Sequence, residues 1–243
     1  MAQQFRTRCD DRPVHRWSRI LSTALITAGL VVLADAVVTL VWQEPFSSAY
    51  GSLQQSRADD RLDEIAAEFG DSVAADIADL PVEQQVRVLA KLYDEQVEKG
   101  DPIGRIEIDA IGVDKVLMNG TDTATLQTGP GRYLSTPLPG RGSTTAVAGH
   151  RTTYGAPFNR VDHLENGDRI RVEMPYGAFT YEVEGHEVVS PERFEVTRPV
   201  GYERIVLTAC HPEYSAAQRW VVYARLTEIG SFAVSGEGRW GAP

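Results

Sequence analysis

Two residues near the end of the chain have types and a spacing that suit thiol chemistry. Cys210 closes the apolar run RIVLTAC, and Arg219 opens the run RWVVYARL nine positions later. If these runs are neighbouring antiparallel strands, both side chains lie at the same end of the pair. The planar guanidinium of Arg219 then lies within reach of whatever the sulfur attacks, and its N–H donors suit a carbonyl or an oxyanion.

A thiol nucleophile also needs a proton partner, because a cysteine with a pKa of about 8.5 is mostly protonated at neutral pH. His150 ends the apolar run AVAGH and precedes the polar loop RTTYGAPF, so it lies at a predicted strand end, as Cys210 does. His163 and His186 lie among charged residues and are interpreted as surface residues. His211 adjoins Cys210, but consecutive side chains of an extended chain point to opposite faces, which disfavours it. His150 is therefore the predicted partner of the thiol.

A metal site is the competing chemical interpretation, since cysteine and histidine are also zinc ligands. The spacings argue against it, because the sequence has no C-x₂-C pair and no H-x₃-H pair. A Gly-x-Ser-x-Gly elbow, a phosphate loop, a paired-carboxylate pattern and an EF-hand pattern are also absent from the sequence. We therefore expect neither a metal nor a cofactor.

The segment from Ile20 to Trp42 is an apolar run of 23 residues. As a helix it would be about 35 Å long, which is enough for a hydrocarbon core of about 30 Å. Five arginines precede the run, whereas the residues that follow it are soon rich in acid. By the positive-inside rule, residues 1–19 form a cytoplasmic basic arm, residues 20–42 form a single-pass membrane anchor, and the rest of the chain is extracellular.

A cleaved signal peptide is the alternative, because the triplet Ala34-Asp35-Ala36 is similar to a cleavage site. The apolar run continues past this triplet through VVTLVW, which favours an uncleaved anchor. Cys9 then precedes the membrane and Cys210 follows it, so the two cysteines cannot form a disulfide within one chain. Cys210 is expected to be an exported free thiol, with a buried small hydrophobic residue as the alternative interpretation.

Composition divides the remainder of the chain into three regions. The net charge of −10, without a basic cluster beyond the N-terminal arm, excludes nucleic-acid binding. Residues 43–101 are acidic and rich in Ala, Leu, Glu and Gln, with apolar residues at helical spacing, and are predicted to form a helical stalk acting as a solvated linker. Residues 230–243 are interpreted as a flexible tail.

Residues 102–229 have the pattern of an all-β domain, in which short runs rich in Val, Ile, Thr and Tyr alternate with turn signals. A short helix or turn is predicted over Thr123 to Thr128, and another over Ala156 to Leu164. The seven predicted strands are Gly104 to Ile108, Asp114 to Met118, Ser143 to Gly149, Arg169 to Glu173, Ala178 to Val189, Arg204 to Cys210 and Arg219 to Leu226.

Three sequence motifs resemble those of a known family. VLTACHP followed by Arg219, AVAGHRTTYGAPF around His150, and the preceding GPGRYLSTPLPGRGS are similar to the sortases of Gram-positive bacteria, and most similar to the class E sortases of actinobacteria. The resemblance covers Ile103 to about Glu228. It implies a closed, mostly antiparallel, eight-stranded β-barrel and a cysteine transpeptidase of cell-surface proteins, with residues 102–229 as its catalytic domain.

The same resemblance implies a role for each site residue. Cys210 matches the nucleophile that cleaves the Thr-Gly bond of a C-terminal sorting signal, LAxTG-like or LPxTG-like, and forms a thioester. His150 matches the general acid, and Arg219 matches the residue that holds the substrate and stabilises the oxyanion. The acceptor would be an amine of the peptidoglycan cross-bridge or of its precursor. Substrate contacts are expected from Thr208, Ala209 and Tyr154, which lie in these motifs.

One position departs from the family's pattern, which usually has TLTTC before and at the nucleophile. This chain has Ala209 where the family has threonine, so backbone amides and Arg219 are expected to bind the oxyanion. From the residues alone, an exported cysteine peptidase fits as well as a transpeptidase, because nothing in the pattern distinguishes an amine acceptor from water. A β-barrel binding module without turnover is the third interpretation.

Overall fold

The computed structural model describes residues 12–42, 45–72 and 80–230. The chain divides into two compact units, Met1–Pro45 and Phe46–Pro243. The first contains helix α1, Arg12–Trp42. Its stretch Trp17–Val38 has a mean hydropathy of 2.1 and is long and apolar enough to cross a membrane, so it fits a single-pass anchor. The predicted arm up to residue 11 and the predicted tail after residue 230 lie outside the described residues.

Two helices follow in the region predicted to be a helical stalk. Helix α2 spans Pro45–Ser72 and helix α3 spans Val82–Gln96. Each helix buries one apolar stripe at spacings of three and four residues, as an amphipathic helix against a core does. The buried residues are Ala58, Leu62, Ile65, Ala66 and Phe69 of α2 and Val86, Leu89, Ala90 and Tyr93 of α3. The region is thus helical as predicted, but it is packed where a solvated linker was expected.

Helix α2 is joined to the barrel by polar contacts as well as by its apolar stripe. Gln55 receives a hydrogen bond from the backbone N–H of Val116 at 2.8 Å, and its amide group donates to the carbonyl oxygens of Val116 at 3.2 Å and Thr128 at 2.9 Å. One helical turn later, Asp59 forms an ion pair with Arg105. These bonds satisfy backbone groups at the barrel edge, so α2 is an integral part of the folded unit.

The domain is a closed barrel of eight strands, as the family resemblance implies. Neighbours around the barrel are β1-β2-β3-β4-β7-β8-β6-β5, and all pairs are antiparallel except β2 with β3 and β4 with β7. The strands are β1 Pro102–Ile108, β2 Val113–Asn119, β3 Gly131–Arg132, β4 Thr144–Ala148, β5 Arg169–Met174, β6 Gly177–Val189, β7 Arg204–His211 and β8 Gln218–Gly230.

The seven predicted strands are confirmed, with bounds that differ by a few residues. Strand β3 was not predicted, because two residues are too short to show a period. Helix α4 spans Thr123–Thr128 as predicted, and the side chain of Asp122 caps it by accepting from the N–H of Thr125 at 3.4 Å. The second predicted helix or turn consists of turns and a 3-10 helix over Val161–His163.

Along β7, successive side chains alternate between the inside of the barrel and a smaller apolar cluster on its outer face. Ile205, Leu207 and Ala209 belong to the main core, which α3 also joins. Val206 points the other way, into a cluster of apolar residues that lies on the outer face of the sheet. The members of this outer cluster are Ala146, Val189, Val196, Val206 and Val221, with Tyr133 and Tyr223 packed against them. The outer face of β7 therefore carries the residues at even positions, which include Cys210.

Candidate active site

Cys210 and Arg219 are direct partners on neighbouring antiparallel strands. In the register of β7 and β8, the Cα of Cys210 lies opposite that of Arg219. Directly paired residues share one face of a sheet, and Val221, two residues after Arg219, lies in the outer cluster. Cys210 is half-buried and carries a free thiol. The predicted nucleophile and the predicted arginine are thus adjacent, at the same end and on the same face of the pair.

His150 reaches the same place from the other side of β7. Strand β4 runs parallel to β7, with Ala148 paired to Thr208, and the N–H of Gly149 donates to the oxygen of Thr208 at 3.0 Å. His150 follows Ala148 by two residues, as Cys210 follows Thr208. His150 therefore lies just past the carboxyl end of β4, beside the end of β7 that carries Cys210, and the three predicted catalytic residues lie at one end of the adjacent strands β4, β7 and β8.

The imidazole of His150 is enclosed by the loop that follows it. Its ring centroid lies 5.3 Å from that of Tyr154, and its Nε2 is buried without a hydrogen-bond partner among the described residues. Burial lowers the pKa of His150 below its ordinary value of 6.5, because an apolar setting disfavours the charged form. A neutral imidazole with an unoccupied ring nitrogen can accept a proton and return it.

Tyr154 is held over His150 by the beginning of α2. The backbone N–H of Tyr154 donates to Oγ of Ser47 at 3.4 Å, and the ring of Tyr50 meets that of Tyr154 edge-on at 6.4 Å. Gln127 donates to the Tyr154 hydroxyl at 3.1 Å. Tyr154 has a φ of 52°, a left-handed conformation that costs energy for a bulky residue and that these contacts maintain. The predicted substrate contact Tyr154 therefore lies beside the site as part of its wall.

The guanidinium of Arg219 is bound to the turn that joins β7 and β8. Its Nη1 donates to the backbone oxygens of Ala216 at 3.1 Å and Gln218 at 2.9 Å. An arginine has five N–H donors, so the donors on Nε and Nη2 are available to a ligand in this arrangement. The arginine can therefore hold its own turn and donate to a developing negative charge at the same time.

The two other predicted substrate contacts lie on opposite sides of β7. The hydroxyl of Thr208 forms a hydrogen bond with the hydroxyl of Tyr133 at 2.9 Å, on the face that carries Cys210. Ala209 is only 2% exposed and belongs to the main core. A substrate contact from Ala209 is thus limited to its backbone. A threonine hydroxyl at position 209 would point away from the sulfur into an apolar interior, where it needs a hydrogen-bond partner.

Two residues around the site have no role that the sequence pattern predicts. Tyr133, which binds Thr208, lies within the motif GPGRYLSTPLPGRGS, and Arg151 directly follows His150. His211 packs on Trp220, with ring centroids 5.4 Å apart, and thus points away from Cys210 as predicted. Among the described residues, no group of three or more His, Cys, Asp and Glu side chains is arranged to hold a metal ion.

Comparisons with known proteins agree with the fold. A family model described as the sortase domain matches residues 106–227, about half of the chain. Sortase D of Bacillus subtilis (strain 168) is 32% identical over 132 residues, which cover 53% of this chain and 65% of the relative. Sortase SrtE1 of Streptomyces coelicolor is 34% identical over 105 residues, which cover 39% of this chain and 30% of the relative. The chain thus spans less than two thirds of the length of both relatives.

Solved structures that are similar to this chain are also sortases. Sortase E from Streptomyces avermitilis is 32% identical with a TM-score of 0.50, covering 55% of this chain and 93% of that one. Sortase E1 from Streptomyces coelicolor, solved with a tripeptide in its active site, is 28% identical with a TM-score of 0.52 over the same shares. A sortase D5 transpeptidase from Clostridium perfringens shares the fold, with a TM-score of 0.56 at 23% identity, covering 72% of this chain and 99% of that one.

The fold and these comparisons thus define a closed β-barrel protein of the class to which the sortases belong. The chain belongs to the sortase family.

Proposed function

We propose that the chain is a membrane-anchored sortase that cleaves an LAxTG-like or LPxTG-like sorting signal between Thr and Gly and transfers the protein to a cell-wall amine. The observation that supports this most directly is the position of Cys210, His150 and Arg219. Cys210 and Arg219 are paired at one end of β7 and β8, and His150 lies two residues past the same end of the adjacent strand β4, inside the region that the sortase family matches. These are the nucleophile, the proton carrier and the oxyanion donor that acyl transfer requires.

In the first half-reaction, the sulfur of Cys210 attacks the carbonyl carbon of the signal's threonine. The thiol proton passes to His150, and Arg219 donates to the oxygen as it becomes negative. The C–N bond then breaks, the proton on His150 goes to the departing glycine nitrogen, and the acyl group remains on Cys210 as a thioester. The lowered pKa of His150 suits this exchange, because a weakly basic imidazole releases the proton readily to an amine.

In the second half-reaction, an amine of the peptidoglycan cross-bridge or its precursor attacks the thioester. His150 accepts a proton from the amine as the new amide bond forms, and the proton returns to the sulfur of Cys210 as the C–S bond breaks.

The experiment that tests this proposal follows the fate of the acyl group. The full chain in detergent is incubated with LAxTG and LPxTG peptides, with and without triglycine, and the products are identified by mass. We expect a peptide–triglycine conjugate. Release of free acid that triglycine does not alter would contradict transfer and make the protein a cysteine hydrolase. No cleavage of either peptide would contradict catalysis and favour a binding module.

The membrane topology is part of the same proposal. Residues 1–19 would be a cytoplasmic arm, residues 20–42 the anchor, and residues 43–101 the segment that joins it to the extracellular catalytic barrel at 102–229. The arginine-rich arm before the apolar helix supports this orientation.

Cysteine labelling in intact cells tests the orientation. The Cys210→Ala chain carries only Cys9, whereas the Cys9→Ser/Cys210→Ala/Glu192→Cys chain carries one thiol in an exposed loop of the barrel domain. A membrane-impermeant maleimide should label the second chain on intact cells and the first only after lysis. Labelling of Cys9 on intact cells would contradict the proposed topology.

A further inference from the structure

The neighbours of the two catalytic residues are bonded to each other. Arg151 directly follows His150, and His211 directly follows Cys210. Nη1 of Arg151 lies 3.1 Å from Nδ1 of His211. Because arginine has only donors, Nδ1 of His211 is the acceptor in this bond, as in the Nε2–H tautomer of the ring. The loop that carries His150 is thus tied to the strand end that carries Cys210.

Arg151 is a buried cation with partners on both sides of this link. Its side chain is only 4% exposed and pairs with the carboxylate of Asp162 and, at 3.8 Å, with that of Glu213. Its Nε donates to the backbone oxygen of Asn159 at 3.2 Å, and the Asn159 amide donates to the backbone oxygen of Arg151 at 2.9 Å. A buried guanidinium is stable only when its donors are satisfied, so these groups fix its position.

The contacts come from two separate chain segments. Asn159 and Asp162 belong to the loop after β4, which begins with His150, whereas His211 and Glu213 belong to the end of β7 and the turn after it. Main-chain hydrogen bonding between these two segments ends at the bond from the N–H of Gly149 to the oxygen of Thr208. Beyond that bond, Arg151 is the side chain that spans from one segment to the other.

We propose that Arg151 is a positioning residue that, through His211 and Glu213, sets the distance between the imidazole of His150 and the sulfur of Cys210. The proposal rests on the proposed function of that pair. A displacement of about 1 Å between reacting groups lowers a rate about 100-fold, so a tie next to both groups has a large effect on acyl transfer without touching the substrate.

Three variants separate this role from general stabilisation. Arg151→Met removes the guanidinium at similar length, His211→Leu removes the acceptor, and His211→Asn keeps an acceptor close to the position of Nδ1. We measure thioester formation with an LAxTG peptide, and separate its maximal rate from KM. Arg151→Met and His211→Leu should each lower the maximal rate about 10- to 100-fold with little change in KM.

The double variant and the asparagine variant decide the result. If Arg151 acts through His211, Arg151→Met/His211→Leu is no slower than the slower single variant, and His211→Asn stays within about threefold of the wild type. Multiplicative effects of the two single variants, or a wild-type rate in Arg151→Met, would overturn the proposal. Should Arg151→Met fail to fold, the comparison of His211→Leu with His211→Asn decides alone, because both leave Arg151 paired with Asp162.

A spectroscopic measurement tests the tie independently of turnover. In ¹⁵N-histidine-labelled full-length protein, His211 should show the Nε2–H tautomer, and Arg151→Met should abolish this preference and shift the imidazole resonances of His150. A His211 ring protonated on Nδ1 in the wild type would overturn the proposal. If the wild type forms no thioester, the proposed function fails, while the spectrum still reports on the tie.

Discussion

Gly149 and Phe158 are packed so closely that a Cβ at position 149 would overlap the aromatic ring of Phe158. Phe158 is fully buried, and its backbone N–H donates to the oxygen of His150 at 3.0 Å. The phenyl ring thus occupies the space beside the strand end, and the loop after His150 folds back onto the barrel. Glycine before His150 is therefore a packing requirement of the candidate active site.

Gly149→Ala should destabilise the protein and displace His150. The added methyl group overlaps a ring that has no free space, and overpacking of this kind costs about 1–3 kcal/mol of unfolding free energy. Thermal denaturation and the rate of thioester formation measure the two effects. Gly185→Ala in β6 is the matched control, because a Cβ there meets no atom within 4 Å. Equal effects of the two substitutions on both quantities would contradict the packing argument.

The stability of the protein should depend on the protonation of His150. Its pKa is lowered by burial in the folded state, so the unfolded state binds the proton more readily than the folded state does. The contribution of neutral His150 to the stability of the fold is complete at pH values above the ordinary histidine pKa of 6.5. It decreases as the pH falls through the folded-state pKa of His150. Denaturant unfolding should therefore show a smaller loss of stability from about pH 7 to pH 5 in His150→Gln than in the wild type.

The control for this measurement is an exposed histidine. His163 is exposed at the end of a 3-10 helix, and His163→Gln should keep the pH dependence of the wild type. An equal pH dependence in His150→Gln and in the wild type would show that the burial of His150 does not contribute.

Arg219→Ala should lower the rate of thioester formation about 100- to 1000-fold, because the developing oxyanion loses a charged donor. Arg219→Lys should lie between the wild type and Arg219→Ala, since an ammonium group keeps the charge but not the planar fork. Arg225, on the same strand, is bonded to Glu184 at 3.2 Å and stacked on Tyr202, and Arg225→Ala is the control with the wild-type rate. Identical rates for the two alanine variants would refute the assigned role of Arg219.

Gln55→Glu should loosen α2 from the barrel. A carboxylate at this position can accept from the N–H of Val116 but cannot donate to the carbonyl oxygens of Val116 and Thr128, which then lose their partner. The expected cost is about 1–3 kcal/mol, seen as a lower melting temperature and faster hydrogen exchange in α2. Gln84→Glu, in the exposed first turn of α3, should leave both unchanged. If Gln55→Glu behaves like this control, α2 is not held by these bonds.

Local patterns were sufficient for much of the fold and for the common location of Cys210 and Arg219. Seven strands show alternation or continuous apolar runs bounded by turns, and the spacing of Cys210 and Arg219 already indicates a hairpin with both residues at one end. The same alternation places His211 away from the sulfur. Alternation also places the side chain of Ala209, the residue before Cys210, in the core. The threonine hydroxyl that the family has at this position is therefore missing from the barrel interior.

What the sequence did not predict depends on contacts between distant segments. The parallel pairing of β4 with β7 joins residues 60 positions apart, as in Ala148 with Thr208, and no local pattern specifies such a partner. The bond between Arg151 and His211 depends on that pairing. The apolar stripes of α2 and α3 were visible as stripes, but their acidic surroundings suggested solvent, and a stripe does not reveal the surface that covers it.

Intact-mass measurement of the full chain with an LAxTG peptide shows whether Cys210 forms a thioester with a sorting-signal peptide. We expect an adduct with the mass of the acyl fragment on the wild type, which hydroxylamine removes, and no adduct on Cys210→Ala. Cys9→Ser is the control and should behave as the wild type does. An adduct that persists in Cys210→Ala, or cleavage of the peptide by that variant, would show that Cys210 is not the nucleophile.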